Sequence, residues 1–470
     1  VNDDLIQKLR AAAGPQNVLT EPADVEPYVL DWRGVYRGET PAVVRPGSTE
    51  EVAAVVKACA DAGSPIVPQG GNTGMCMASV PRAGRSEIVL SLGRMNRIRE
   101  VDPLNNTLTA EAGVVLASIQ QAAAEGDRLF PLSLGAEGSC TIGGNLSTNA
   151  GGVNVLRYGN TRDLVLGLEV VLPDGQIWSA LRGLRKDNTG YDLKHLFVGA
   201  EGTLGIITAA VLKVFPRPSA SATAWAAVRD PEAALELLAL LRRHCGDRIN
   251  AFELLSRNCL ELVLKHIPGT RDPLPGPNEW YVLTELADSH AGDALRQELE
   301  RALEAAMEDG LVLDVTIAES SSQGQALWKI RETIPEAAKG EAAMLYRHDI
   351  AVAVSAIPRF IREARNALEA RFPGAHLICF GHLGDGNLHY NVFIPGRARA
   401  DAAAREAHDV TDLVYDLVQT YGGSFSAEHG VGLAKVAELR RYKSPVELEL
   451  MRAIKRTLDP KGLMNPGKVL

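Results

Sequence analysis

The sequence predicts an α+β protein of more than one domain, and three observations carry this. At 470 residues the chain exceeds what one typical hydrophobic core organises. Its 46% hydrophobic and 23% charged residues are those of a globular chain with cores to bury. Its texture changes at Pro216-Arg217-Pro218. Before that point short strands run into glycine-rich loops. After it strands and helices alternate, which suggests a second, open sheet with helices on one face.

The balance of residues excludes several roles. Net charge is −9 and no basic patch carries interleaved aromatics, which argues against nucleic acid. No apolar run approaches ~18 residues, so no membrane span is expected. Val1-Asn2-Asp3-Asp4 lacks the basic-then-apolar order of a secretory signal. Cys59, Cys76, Cys140, Cys245, Cys259 and Cys379 form no Cys-x-x-Cys pair. They read as buried thiols in a reducing compartment, hence an expected cytoplasmic location.

In chain order, residues 4–14 read as a helix and 41–46 as a strand bracketed by prolines. Residues 49–62 have helical spacing, with Thr49 as N-cap and Gly63 just past the end. The strand 65–68 runs into Gln69-Gly70-Gly71-Asn72-Thr73-Gly74. Backbone amides there can approach an anion, because glycine removes the steric wall and permits φ > 0. The loop lacks both the Walker Gly-Lys-Ser/Thr and the Gly-x-Gly-x-x-Gly spacing. Taken alone it is equally a plain turn.

Strands at 87–91 and 107–112 and a helix at 114–125 lead into the run 131–152. Six of those 22 residues are glycine, yet Leu132, Leu134, Ile142 and Leu146 are spaced through it as packing anchors. A long, anchored, glycine-rich loop suits a large ligand wrapped by backbone groups. Residues 165–172 form a strand that turns at Pro173-Asp174-Gly175-Gln176. The loop Gly199-Ala200-Glu201-Gly202-Thr203-Leu204-Gly205 precedes a strand at 206–215.

The second region reads as strands at 223–228, 250–255, 280–287 and 312–318, with helices at 231–244 and 291–308 between them. Helices follow at 326–338, 358–372, 401–420 and 445–458, and 343–354 is extended. Within it lies Gly381-His382-Leu383-Gly384-Asp385-Gly386-Asn387-Leu388-His389-Tyr390-Asn391. Apolar runs on both sides of a Gly-Asp-Gly turn read as a hairpin that brings His382 and His389 to face one another. Alternation puts His389, Asn391 and Phe393 on one face. A second polar cluster, Ser424-Phe425-Ser426-Ala427-Glu428-His429-Gly430, adds a carboxylate and an imidazole. Two histidines and a glutamate are a common three-ligand set for a divalent cation with an open position, and His429 is then free to act as a base. On residue types alone the same histidines are equally ordinary core or surface groups, and the set could serve a metallohydrolase needing no organic cofactor.

The loops at 68–74, 131–152 and 199–205, the segment Leu184-Arg185-Lys186-Asp187-Asn188-Thr189-Gly190-Tyr191-Asp192-Leu193, the 381–391 hairpin and the Glu428-His429 pair, taken together, resemble the FAD-linked D-2-hydroxyacid dehydrogenases of the vanillyl-alcohol-oxidase superfamily. The D-2-hydroxyglutarate branch is the nearest in pattern, with D-lactate and glycolate dehydrogenases as relatives. The resemblance implies an α+β fold with a two-subdomain FAD-binding domain (1–216), a substrate domain built on a large antiparallel sheet (217–435), and a C-terminal helical segment returning to the FAD domain (436–470).

It also implies roles. FAD contacts fall on Pro68, Gln69, Gly70, Gly71, Asn72, Thr73 and Gly74. A second stretch includes Leu134, Gly135, Ser139, Cys140, Gly143, Gly144 and Asn145, with later contacts at Asn149, Gly151, Gly202 and Ile207. Some superfamily members bind flavin covalently through a His or Cys. Asn72 and Thr73 stand in the loop here, so FAD is expected to be non-covalent, and Cys76 nearby reads as packing. His382, His389 and Glu428 correspond to ligands of a divalent metal, usually zinc. His429 corresponds to the general base, Asn391 to a substrate contact, and Arg331 to the clamp on the substrate carboxylate, in place of an ordinary helical surface arginine.

The implied chemistry is oxidation of a D-2-hydroxy acid to the 2-oxo acid. The metal lowers the hydroxyl pKa, His429 takes the proton and C2 passes a hydride to flavin N5. The implied acceptor is an electron-transfer flavoprotein, quinone or cytochrome, and a homodimer is one assembly the resemblance allows. The branch departs here at two points. A lysine before its Tyr-Asp pair becomes Arg347, in Arg347-His348-Asp349, a cation suited to a second, distal carboxylate. A threonine aligns with Pro335, which removes a hydroxyl and leaves the substrate more open than the reaction type.

Overall fold

The computed structural model describes residues 3–340, 343–398 and 404–470. The chain divides into two compact units. The first comprises residues 1–152, 159–217 and 428–470, and the second 153–158 and 218–427. Against the expected ranges, 153–158 join the second unit, and 217 and 428–435 the first.

In the first unit a four-stranded sheet runs in the order Val18–Leu19, Val43–Val44, Ile88–Ser91, Ile66–Gln69, its last three strands parallel. The helices Asp3–Ala13 and Thr49–Ala62 bury an apolar stripe into the same core as these strands: Leu5, Leu9, Val52, Val55 and Val56 meet Ile66, Ile88 and Leu90. The N-cap of the second helix is Ser48, whose side chain accepts from Glu51 N. Thr49 lies inside the first turn, buried, its Oγ1 donating to Glu169 Oε1 at 2.7 Å. Gly63 closes the helix at φ 63°, as its position demands.

A five-stranded antiparallel sheet follows, ordered Ile98–Asp102, Thr107–Glu111, Ile206–Lys213, Val165–Val171, Ile177–Ala180. The run 131–152 is not loop throughout. Ile142–Thr148 is helical despite two glycines, which weaken a helix in isolation. Tertiary contact overrides that preference. Ile142 N and Gly143 N donate to Val114 O and Ala112 O, and a Cβ on Gly143 would lie 2.7 Å from that of Ala112. The C-terminus is woven into this unit, since Asn465 N donates to Ile66 O beside the strand Ile66–Gln69.

The second unit is one eight-stranded antiparallel sheet. Its order is Val312–Ile317, Ala220–Val228, Trp280–Asp288, Ile249–Ser256, His376–His382, Asn387–Ala398, with Ala343–Tyr346 and Asp349–Ala351 both pairing the last strand. The strand-helix-strand alternation is real, but each crossover skips a position. Ala220–Val228 and Ile249–Ser256 both flank Trp280–Asp288, antiparallel to it. Helices on one face alone would leave half of each strand exposed, yet every residue of Ile249–Ser256 is buried. One face packs Trp225, Leu255, Tyr281 and Leu283 under the helices Arg257–His266 and Ser321–Glu332. The helices Pro231–Cys245 and Ala294–Glu308 pack on each other and on the sheet. The expected helix at 401–420 is described from Ala404 to Thr420, residues 401–403 lying outside the described residues. No described helix is long and apolar enough to cross a membrane. All six cysteines are buried and free, as read from their spacing.

Candidate active site

In the first unit the strand Ile66–Gln69 delivers the loop 69–74 into a cleft with an empty volume of about 770 Å³, open mouth included. The loop is braced from behind. Gln69 Nε2 donates to Tyr28 O (2.9 Å) and Ser79 O (2.7 Å), and Asn72, at φ 52°, donates to Leu30 O (2.8 Å) and accepts from Ser79 Oγ (2.8 Å). A Cβ on Gly71 would stand 2.1 Å from Ser139 O, so this loop and the 139–145 segment touch backbone to backbone.

Pro68 to Gly74, Cys140, Gly143, Gly144, Asn145, Gly202 and Ile207 line the cleft. Leu134, Gly135, Ser139, Asn149 and Gly151 fall outside its lining. Two polar atoms of the lining, Thr141 Oγ1 and Asn145 Oδ1, are buried without a partner. The amides of residues 71–74 donate to no protein acceptor among the described residues. Orphaned polar atoms and open amides in one cleft fit an anionic cofactor such as FAD. Cys140 is buried in that lining, and burial pushes its thiol up. Cys76 is buried, its thiol donating to Gly430 O at 3.3 Å, a packing role.

Glu201, in the third glycine loop, also lines the cleft. Burial pushes its carboxyl up, opposed by the amides of Val431 and Gly432, which donate to it at 2.7 and 2.8 Å. It therefore fixes the backbone just past His429. Glu428 is held by Gly152 N, which donates to its Oε1 at 2.8 Å, and a Cβ on Gly151 would lie 2.5 Å from the same oxygen. Gly151, expected at FAD, thus packs on Glu428. His429 is partly buried.

In the second unit the hairpin forms as expected, with His376–His382 pairing Asn387–Ala398 around a short turn at Leu383–Asp385. His382 and His389 face each other, ring centroids 5.7 Å apart and edge to face. Each imidazole has a carboxylate at its Nδ1. Glu253 Oε1 is 2.6 Å from His382 Nδ1, and Asp349 Oδ1 is 3.8 Å from His389 Nδ1. The hydrogen-bonded acid at His382 Nδ1 sets that ring's tautomer and leaves Nε2 as its ligand atom. Phe380, opposite His389 in the ladder, packs on its ring at 4.8 Å.

Arg331 ends the helix Ser321–Glu332 and is buried, not a surface arginine. Its Nε donates to Glu253 Oε2 at 2.7 Å and its guanidinium lies 4.7 Å above the Phe380 ring. That leaves the Nη end, which has fork geometry, for a carboxylate. Burial alone would push the Glu253 carboxyl up. The charges and hydrogen bonds of His382 and Arg331 outweigh it and hold it down at about 2. Asn391 Oδ1 accepts from His348 N at 3.3 Å, so its Nδ2 donors point elsewhere. Arg347 is exposed, and alternation from Asp349, which pairs His389, puts it on the face of His389 and Asn391.

Sequence reasoning missed Glu253. Its one signal is a lone acid inside the apolar run Asn250-Ala251-Phe252-Glu253-Leu254-Leu255, where a buried charge needs partners.

Comparison with known proteins identifies the family. An FAD binding domain matches residues 40–180, and the C-terminal domain of FAD linked oxidases matches 217–469. A D-2-hydroxyglutarate dehydrogenase of Xanthomonas citri pv. viticola is 40% identical over 471 residues, covering 100% of this chain and 97% of its own. A mitochondrial D-2-hydroxyglutarate dehydrogenase of Arabidopsis thaliana is 39% identical over 462 residues, 97% of this chain and 80% of its own. Among solved structures, p-cresol methylhydroxylase superposes with a TM-score of 0.77 at 19% identity, over 99% of this chain and 96% of its own, which establishes the shared fold. The chain belongs to the FAD-linked oxidases and, within them, to the D-2-hydroxyacid dehydrogenases.

Proposed function

We propose that this protein oxidises D-2-hydroxyglutarate to the 2-oxo acid, using non-covalent FAD and a divalent cation, zinc first among candidates, held by His382, His389 and Glu428. When bound, the flavin supplies a two-electron acceptor at N5 and the cation polarises the substrate hydroxyl. Arg331 grips the carboxylate next to the reacting carbon, Asn391 supports it, and Arg347 receives the distal carboxylate. His429 takes the hydroxyl proton. The FAD contacts are those the resemblance assigns, Leu134, Gly135, Ser139 and Asn149 included. Glu428 is the third ligand that the resemblance assigns. The electron acceptor would be an electron-transfer flavoprotein or a quinone. Six buried free thiols suit a reducing, cytoplasmic setting.

The observation that carries this reading is the Glu253 bridge: one buried carboxylate holds both the arginine for a substrate carboxylate and an imidazole offering Nε2. The test is anaerobic bleaching of the flavin by D-2-hydroxyglutarate, D-lactate and glycolate, before and after chelation. The first substrate should bleach fastest, chelation should stop it, and His429→Ala should abolish it with FAD still bound. Full reduction by metal-free protein, or by His429→Ala, would overturn the assignment. An Arg347→Ala variant should lose the dicarboxylate and keep residual turnover of D-lactate.

A further inference from the structure

We infer that Glu253 is a positioning residue for two groups at once: it aims His382 at the cation and pins Arg331 for the substrate. This rests on the proposed function and deepens it: Glu253, there only an observed bridge, is given a role of its own.

The geometry is specific. Glu253 lies directly across the ladder from His382, on the neighbouring strand. Its side chain is 1% exposed. Oε1 serves His382 Nδ1 at 2.6 Å and Oε2 serves Arg331 Nε at 2.7 Å, one oxygen for each partner. Phe380 adjoins Arg331 and His389, its ring 4.7 Å from the Arg331 guanidinium and 4.8 Å from the His389 ring. With Nδ1 committed to a carboxylate, the His382 ring can neither flip nor change tautomer without leaving a buried acid unpaired. With Nε committed, the guanidinium plane of Arg331 is set and its Nη edge faces one way. A carboxylate does both because it offers two acceptor oxygens. An amide offers one acceptor and puts an NH₂ against the second donor.

The test measures Zn²⁺ affinity of the flavin-loaded full chain by competition with a chromophoric chelator, together with KM and kcat for D-2-hydroxyglutarate. Glu253→Gln should weaken Zn²⁺ about 10- to 100-fold, the usual cost of losing a partner behind a ligating histidine. It should also raise KM more than it lowers kcat. Glu253→Asp keeps the charge but is one methylene shorter, so it cannot span both partners, and it should shift both readouts in the same direction by less. If the glutamine variant does not accumulate as yellow protein, the aspartate variant decides.

Arg331→Met keeps the Glu253–His382 bond. It should raise KM and leave Zn²⁺ affinity within about 3-fold, under 1 kcal/mol. Wild-type Zn²⁺ affinity and KM in both Glu253 variants would overturn the inference. So would an Arg331→Met protein that loses zinc as severely as Glu253→Gln, since that would signal collapse of a buried pair. His382→Ala separates the two levels. Unchanged zinc binding there sinks the metal reading itself. Lost binding there with intact binding in Glu253→Gln sinks this inference alone.

Discussion

Gly71→Ala tests whether the 69–74 loop builds the flavin cleft by backbone contact. Gly71 has no positive φ, so the added methyl acts through space alone. It would sit 2.1 Å from Ser139 O, 3.0 Å from Ser139 C and 3.1 Å from Cys140 Cα, where 3.4 Å begins ordinary contact. All three are backbone atoms, and no rotamer change relieves them. The two loops must part by about an ångström, an overpacking that costs about 1–3 kcal/mol. The free protein can relax by opening the cleft, and FAD must then draw it shut again. The strain therefore appears in binding, as roughly 5- to 150-fold weaker FAD at 1.4 kcal/mol per decade. Quenching of FAD fluorescence on titration with apo-protein measures it. Gly138→Ala is the control, because nothing lies within 4 Å of its Cβ position and it does not line the cleft. Gly70→Ala should fall between them, its contact being Thr141 Oγ1 at 2.3 Å, the end of a side chain that can turn. FAD affinity within about 3-fold of wild type in Gly71→Ala, or an equal loss in Gly138→Ala, refutes the reasoning.

Two further predictions follow from burial. Lys468 is 2% exposed, its Nζ donating to Val80 O, and burial pushes its ammonium down to about 8 despite Glu87 and Glu201. From pH 8 to about 10.4 the unfolded lysine binds a proton that the folded one has released. Stability of wild type relative to Lys468→Met should thus rise across that window, by up to about 3 kcal/mol. A flat difference in urea melts at pH 7.5 and 10 would refute it. Burial also pushes the thiols of Cys59 and Cys259 up to about 12. Thiol titration at pH 8 should find almost no reactive cysteine in the native holoprotein and six after denaturation; two or more fast native thiols would contradict this.

The hairpin was legible because its determinants are local. Period-two alternation and a Gly-Asp-Gly turn place His382, His389 and Asn391 without reference to the rest of the chain. Glu253 was not, because its meaning depends on Arg331 and His382, 78 and 129 residues further along. The helix at Ile142–Thr148 was hidden for the opposite reason. Its glycines speak against a helix locally and are there because Ala112 leaves Gly143 no room for a Cβ. The sheet of the second unit was half legible. Alternating strands and helices announce crossovers, but the sequence does not say that Trp280–Asp288 fills the gap between Ala220–Val228 and Ile249–Ser256. The extended-loop reading of 69–74 and 199–205 leaned on glycine content. Whether such loops make a cleft is decided by what they touch, and Gly71 against Ser139 is that contact.

The orphaned polar atoms of the cleft allow a test in which one substitution has opposite signs in two states. Thr141 Oγ1 is buried without a partner and, although Thr141 precedes a helix, its side chain makes no capping bond. Thr141 also bridges Val115 in extended geometry, which a β-branched valine keeps. Thr141→Val therefore removes an unsatisfied hydroxyl and nothing else. In apo-protein it should be neutral or stabilising, by up to about 1–3 kcal/mol, the cost of an unmet buried donor or acceptor. In holoprotein the hydroxyl has a partner if FAD is its reason for being there. In the holoprotein that hydrogen bond, to a charged group, contributes about 1.5–3 kcal/mol, and any gain in the apo-protein adds to the loss on binding, so FAD should bind at least some 10- to 150-fold more weakly. Melting curves of Thr141→Val should then lie at or above wild type without FAD and below it at saturating wild-type FAD concentrations. Curves displaced in the same direction in both states would mean that the hydroxyl does not meet the cofactor, and the cleft would lose the polar contact that best marks it as a flavin site.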